Sequence, residues 1–143
     1  MSDNDQVAAH DFCWRARVYW EDTDAGGVVY HANYLRFLER ARTEWLRAQG
    51  FDQSHLRMHD GICLVVCSIN VDFMQPARLD DELDATVCVD QLRAASMLMT
   101  QTLTRVADGV LIARAKVRAA CVAADSLKPM ALPTHLLKGI SNS

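Results

Sequence analysis

Residues 31–50 read HANYLRFLERARTEWLRAQG, and the architecture turns on this run. Advanced by 100° per residue, Tyr34, Leu38, Ala41, Trp45 and Ala48 fall on one stripe. Phe37 lies on one flank, Leu35 and Leu46 on the other, while Arg36, Arg40, Thr43 and Arg47 lie opposite. The spacing predicts a helix over residues 31–49, with Gly50 as its stop. Its apolar arc covers close to half the circumference, wider than a surface helix needs, so another layer must wrap it.

Working outward from the helix, the pattern changes to strands. Residues 12–20 are rich in aromatic and branched side chains and read as a first strand; residues 21–30 hold Asp22, Thr23, Asp24, Gly26 and Gly27, which is loop chemistry. In residues 62–73 the apolar phase is even at Ile62, Leu64 and Val66, then odd at Ile69, Val71 and Phe73. That slip predicts a bulge near Cys67 and Ser68. Leu83, Ala85, Val87 and Val89 alternate with Asp84, Thr86 and Asp90, and residues 95–106 form a further strand. Asp108-Gly109 then signals a type I′ hairpin into a last strand, where Leu111 through Cys121 alternates with Arg114, Lys116 and Arg118. Pro129 and Pro133 punctuate a short tail. Short connections between successive strands mean antiparallel pairing, so the expected fold class is α+β: one long helix wrapped by a curled antiparallel sheet of about five strands.

The chain has 143 residues, 50% apolar and 23% charged, a prior of one domain that buries roughly 70% of its unfolded surface. Disordered, collagen-like and disulfide-scaffold classes are excluded. Residues 1–10 read as a disordered leader and residues 11–143 as the single domain. A net charge of -3 removes the attraction that nonspecific nucleic-acid binding needs. The five cysteines, at 13, 63, 67, 88 and 121, are spread over strands and suit a reducing compartment. With no signal peptide and no apolar run long enough to cross a bilayer, a cytoplasmic location is expected. Neither Cys63 with Cys67 nor His55 with His59 has the further ligands of a zinc set, and no metal is expected.

Chemistry concentrates just before the helix. A carboxylate at Asp24 would face unpaired first-turn N–H groups and the positive end of the helix dipole, which keeps it ionised, as a nucleophile or general base must be. The same amides could hold an oxyanion, and Gly26 and Gly27 would let backbone approach a ligand. The bland alternative for Asp24 is a helix cap or an Asx turn. Asp22, two residues away, reads as a structural loop residue, with a divalent-metal Asp-x-Asp as the weaker alternative.

The run Arg17-Val-Tyr-Trp-Glu-Asp-Thr-Asp-Ala-Gly-Gly-Val-Val-Tyr-His-Ala-Asn-Tyr34, with Glu39-Arg-Ala-Arg-Thr-Glu44, Pro76-Ala-Arg-Leu-Asp-Asp81 and Lys128-Pro-Met-Ala-Leu-Pro133, resembles the hotdog-fold acyl-CoA thioesterases of the 4-hydroxybenzoyl-CoA thioesterase type. Within them it is most similar to the subgroup associated with the bacterial Tol-Pal system. The resemblance implies hydrolysis of acyl-CoA to free acid and CoA, with the catalytic aspartate at Asp24 and the oxyanion donor at the backbone near His31. The His31 side chain, beside Tyr30, falls on the family's helper. It implies no cofactor, coenzyme A entering as part of the substrate, and a homodimer or homotetramer with active sites between subunits. Relatives often carry Tyr at Trp20; an indole N–H donates but cannot accept or ionise.

Arg93 is the phosphate contact that the resemblance favours, with Lys128 second, over the stripe of Arg114, Lys116 and Arg118. Arg42 projects into the apolar arc and must be paired, with Glu39 at i−3 as local candidate, or lie at a subunit interface. Glu39 is also the understudy to Asp24. Met97, Met99 and Leu103 line a pocket or fill the core. Two other functions share the fold: a noncatalytic acyl-CoA or acyl-carrier-protein binding module, and a dehydratase using His31.

Overall fold

A computed structural model describes residues 12–141; the expected leader lies outside the described residues. In chain order the elements are β1 (Phe12–Arg17), a 3₁₀ turn (Trp20–Asp22), α1 (Asn33–Ala48), α2 (Gln53–His55) running into a wide helical turn (Leu56–Asp60), β2 (Ile62–Phe73), β3 (Glu82–Leu92), β4 (Ser96–Arg105), β5 (Leu111–Ala123) and α3 (Thr134–Ser141). The five strands make one antiparallel sheet in the order β1-β3-β4-β5-β2. The fold is α+β with a long helix laid on the sheet, chiefly over β1 and β3.

The helix buries Tyr34, Phe37, Leu38, Ala41, Trp45 and Leu46, the centre of the expected stripe. Leu35, expected on the flank, and Ala48, expected on the stripe itself, are exposed, Ala48 because it is the last residue of the helix. Against this face the sheet turns Leu83, Ala85 and Val87 of β3, Met97, Met99 and Leu103 of β4, and Ala113, Ala115 and Val117 of β5. The register of β2 on β5 shifts between Val66 and Ser68, where the change of apolar phase placed a bulge. The outer face is polar rather than a second apolar layer: Arg114, Lys116 and Arg118 are exposed, and Lys116 reaches Asp90 at 3.2 Å and Thr100 at 2.8 Å.

Two sequence expectations need correction. The β4–β5 connection is not a type I′ turn, which needs positive φ at both central residues; Gly109 has φ +72° while Asp108 is not left-handed. Gly109 donates to the Arg105 carbonyl at 2.8 Å, and the Asp108 carboxylate accepts from Val110 at 3.1 Å, a longer turn closed by one glycine. The tail after Pro133 is also not a plain tail. It forms α3, whose Leu136 and Ile140 are buried one helical turn apart. That i, i+4 spacing behind a proline was the missed signal.

On the outer face, Arg15 grips Asp84 with two hydrogen bonds of 2.8 and 3.1 Å, and holds the Asp84 carboxyl below the usual carboxylate range. A carboxyl with a depressed folded pKa stabilises the fold above its unfolded pKa and loses that contribution as pH falls through the folded value. Asp84→Asn is expected to lower stability slightly at neutral pH and, by the same amount, to flatten its decline below about pH 4, read as urea midpoints against pH; both effects are small because the pair is well solvated.

Candidate active site

The segment between the 3₁₀ turn and α1 is tied down from both ends. Asp22 is 8% exposed. Its carboxylate accepts the Tyr19 N–H at 2.8 Å, and its carbonyl accepts the Tyr30 N–H and the Asn33 side chain, both at 3.0 Å. It is the structural member of the Asp-x-Asp pair. Val29 donates to Ala77 at 2.8 Å, and Val28 bridges Arg78, which docks the loop on the Pro76–Asp81 motif. Tyr34, buried in the first turn of α1, completes the dock by accepting the Ala77 N–H on its hydroxyl at 3.0 Å. Arg105 braces that motif from β4, donating to the Pro76 carbonyl at 2.7 Å and to Asp81 at 3.1 Å.

Asp24 stands exposed at the tip of this braced loop. One carboxylate oxygen accepts the Gly26 N–H at 2.8 Å, while its backbone N–H meets Val28 at 2.9 Å and its carbonyl meets Gly27 at 3.0 Å. The Asx-turn alternative is therefore present in the geometry, and it leaves the second carboxylate oxygen open. Gly27 is left-handed at φ +80°, and a Cβ on Gly26 would stand 3.2 Å from the Asp24 oxygen, so both glycines serve this conformation.

The amides at the helix start differ from expectation in detail. Asn33, Tyr34 and Leu35 already donate to the carbonyls of Tyr30, His31 and Ala32, at 2.8, 3.4 and 3.2 Å. The N–H groups of His31 and Ala32, one step earlier, have no acceptor among the described residues. Ala32 occupies the N-cap position and has no side chain to cap with. The unpaired amides at the helix start are thus those of His31 and Ala32 rather than ones deeper in the first turn. The exposed His31 ring packs at 4.5 Å on Tyr30 and 6.3 Å on Phe73. With Tyr34, Met74, Gln75 and Pro76 it lines a hollow of about 240 Å³ beside the loop.

A family model described as the thioesterase-like superfamily matches residues 18–140. The chain belongs to that superfamily. It is 44% identical over 126 residues to the acyl-CoA thioester hydrolase YbgC of Escherichia coli O6:H1, covering 88% of this chain and 92% of the relative. A probable thioesterase from Bartonella henselae is 36% identical with a TM-score of 0.81, covering 86% of this chain and 99% of the other. The structure of a 4-hydroxybenzoyl-CoA thioesterase mutant complexed with 4-hydroxybenzoyl-CoA, 22% identical, covers 90% of this chain and 97% of the other at a TM-score of 0.84 and shares the hotdog fold.

On this thioesterase-like scaffold the other candidate residues separate into groups. Trp20, at the base of the loop, is 79% exposed and lines a hollow of about 420 Å³ with Tyr19, Glu21, Leu79 and Asp80. Glu39, exposed on α1, accepts the Thr43 hydroxyl at 3.2 Å. Arg42 is not hydrogen-bonded to Glu39 as the i−3 spacing suggested; it donates to the side-chain carbonyl of Gln101 on β4 at 2.9 Å. Gln101 is fully buried at 0% exposure, and its amide also donates to the carbonyls of Leu38 at 3.0 Å and Thr86 at 3.2 Å. Sequence reasoning missed Gln101, although a signal existed: it falls in phase with Met97, Met99 and Leu103, a polar residue on the inward side of β4.

Arg93 and Lys128 lie at the other end of the molecule. Arg93 follows β3, donates to the Gln91 side chain at 3.0 and 3.3 Å, and lines a hollow of about 260 Å³ with Arg118, Ser96 and Leu98. Lys128 accepts the Ala123 N–H on its carbonyl at 2.8 Å, just past β5, with an exposed side chain. The Asp24 loop instead packs near the start of β3, where Val18 donates to Asp81. The 11 residues of β3 separate the two ends by roughly 30 Å. Within one chain the Asp24 loop and the Arg93 hollow do not meet.

Proposed function

We propose that this chain hydrolyses acyl-CoA thioesters, with Asp24 acting on the thioester carbonyl and the His31 and Ala32 amides holding the oxyanion. The observation that carries the reading is one braced loop that presents an open carboxylate oxygen at Asp24 and, at its junction with α1, the His31 and Ala32 N–H groups, which have no acceptor among the described residues. A thioester carbonyl seated on those amides is polarised, and attack at carbon gives a tetrahedral intermediate that expels the CoA thiolate. Attack comes from the carboxylate itself, giving an anhydride that water then opens, or from water whose proton the carboxylate takes; both need Asp24 ionised. His31 supports the site by its backbone N–H and by packing beside Tyr30.

The working form is a pair of chains. β2 ends the sheet with a free edge, and Tyr30, Leu35, Val65, Val66, Phe73 and Met74 leave apolar surface exposed around it. A second copy pairing antiparallel on this edge reverses the molecule end for end, bringing one copy's arginine pocket toward the other's Asp24 loop. That resolves the separation of roughly 30 Å noted above and puts the active sites between subunits. CoA phosphates then meet Arg93, with Lys128 as a further cation. Five free thiols suit a reducing interior such as the cytoplasm, and no helix among the described residues is long and apolar enough to cross a membrane.

The experiment is thiol release from a panel of short, long and aromatic acyl-CoAs by the whole chain. Turnover is expected; tight binding of intact acyl-CoA without turnover would favour the binding module, and hydration of an enoyl-CoA the dehydratase. On the same assay Arg93→Ala is expected to raise KM with little change in kcat, the mark of a contact made equally in ground and transition states. A kcat loss without a KM change would remove Arg93 from the phosphate site.

A further inference from the structure

Arg42 is the anomaly of the core. A cavity of about 150 Å³ opens between the middle of α1 and the sheet; Trp45, Leu46, Leu64, Met97 and Met99 give it apolar walls, and Glu39, Arg42 and Thr43 give it a polar flank. No carboxylate lies within ion-pair distance of Arg42 among the described residues. Its hydrogen-bond partner is the neutral Gln101 amide, itself locked by two backbone carbonyls. Burial opposes the guanidinium charge, and Glu39 offsets this only through space. A guanidinium carries more N–H donors than one such bond uses, and Arg42 lines a cavity of the size known to hold a six-membered hydrocarbon ring.

We propose that Arg42, oriented by Gln101, is a specificity-determining residue: it selects acyl groups whose far end carries an oxygen acceptor over saturated acyl groups of equal length. The inference rests on the reading of the chain as an acyl-CoA hydrolase. The reason is the asymmetry of polar burial. A methyl-ended tail entering the cavity strips water from the guanidinium and returns no acceptor, whereas a hydroxyl or carboxylate replaces that water with a charge-assisted bond. Glu39 on the same flank distinguishes the two acceptors, since a hydroxyl can also donate to it while a second carboxylate is repelled. The cavity lies about 14 Å along α1 from Asn33, the distance a medium-length acyl tail must bridge from the loop. Val65 and Val66, which also line it, belong to the edge strand β2, where the proposed second copy would cover the cavity.

The test compares octanoyl-CoA, ω-hydroxyoctanoyl-CoA and octanedioyl-CoA, and the matching hexanoyl set, on wild type, Arg42→Met and Arg42→Lys. Wild type is expected to prefer an oxygen-ended substrate in kcat/KM by about tenfold or more, the equivalent of one charge-assisted hydrogen bond. Arg42→Met should abolish the preference by raising kcat/KM on the methyl-ended substrate, and Arg42→Lys should keep part of it. Equal kcat/KM for the three ends in wild type overturns the assignment, even if Arg42→Met fails to fold. So does a preference that survives Arg42→Met. Absence of turnover on these sets and on the wider panel overturns the hydrolase reading instead, which separates the two failures.

Discussion

Asp24→Asn is expected to lower kcat on every acyl-CoA that the wild type cleaves by about 10²- to 10⁴-fold, with KM nearly unchanged. Asparagine keeps the size of the side chain and its side-chain oxygen can still accept the Gly26 N–H, the 2.8 Å bond that shapes the loop tip. The loop is held by other groups in any case: the Asp22 carboxylate and carbonyl, the Val29 to Ala77 bond and the Tyr34 hydroxyl are all untouched. What the amide lacks is the negative charge, and with it both nucleophilicity toward a thioester carbon and the capacity to take a proton from water. Thermal unfolding should therefore match wild type while turnover collapses. Residual hydrolysis above the uncatalysed rate is expected, because the His31 and Ala32 amides still polarise the carbonyl; a single such donor is worth about 3 kcal/mol. His31→Ala leaves both amides in place and should cost much less than Asp24→Asn. Wild-type turnover in Asp24→Asn would make Asp24 a loop residue only, and Glu39 on α1 would be the next carboxylate to test.

How much of this was legible before the structure depends on the range of the interaction. The apolar stripe of α1 and the phase slip of β2 are local patterns, and both reappear at the residues that carried them, Leu38 with Ala41 and Val66 with Ser68. The loop was legible as chemistry because its residues are contiguous. Contacts between distant segments were not. Arg42 pairs across 59 positions with Gln101, and a one-dimensional reading offered only Glu39, a turn away. Position on the sheet was equally hidden: Arg93 and Asp24 are both plausible parts of one site in sequence, yet opposite ends of β3 keep them apart in a single chain. The free amides show a subtler limit. A helix start is predictable to within a residue or two, but which N–H groups stay unpaired depends on turn bonds that only coordinates reveal.

Gln101→Leu is expected to lower stability by about 2 to 3 kcal/mol, a fall in melting temperature of about 6 to 12 °C at fixed protein concentration. Leucine fills nearly the same volume, so the loss is not a cavity effect. The Leu38 carbonyl lies within α1 and the Thr86 carbonyl at a gap in the β3–β4 ladder, where the Thr102 N–H turns to the Thr86 hydroxyl, and each loses one donor. The main cost falls on Arg42, whose half-buried guanidinium gives up its side-chain acceptor at 2.9 Å, with no carboxylate among the described residues in ion-pair range to replace it. This reasoning fixes the sign of a double-mutant cycle. Arg42→Met removes the charge that Gln101 serves and puts an apolar chain against Met97 and Met99, so Arg42→Met with Gln101→Leu should be more stable than Gln101→Leu alone. Additive losses would instead mean that Gln101 stabilises the fold through the two carbonyls, and that Arg42 is satisfied by solvent. If the cycle shows the expected coupling, the chain retains a costly polar contact between its helix and its sheet that an apolar pair could replace. Such a contact is best explained by what the guanidinium does at the cavity, which ties the stability measurement to the substrate preference.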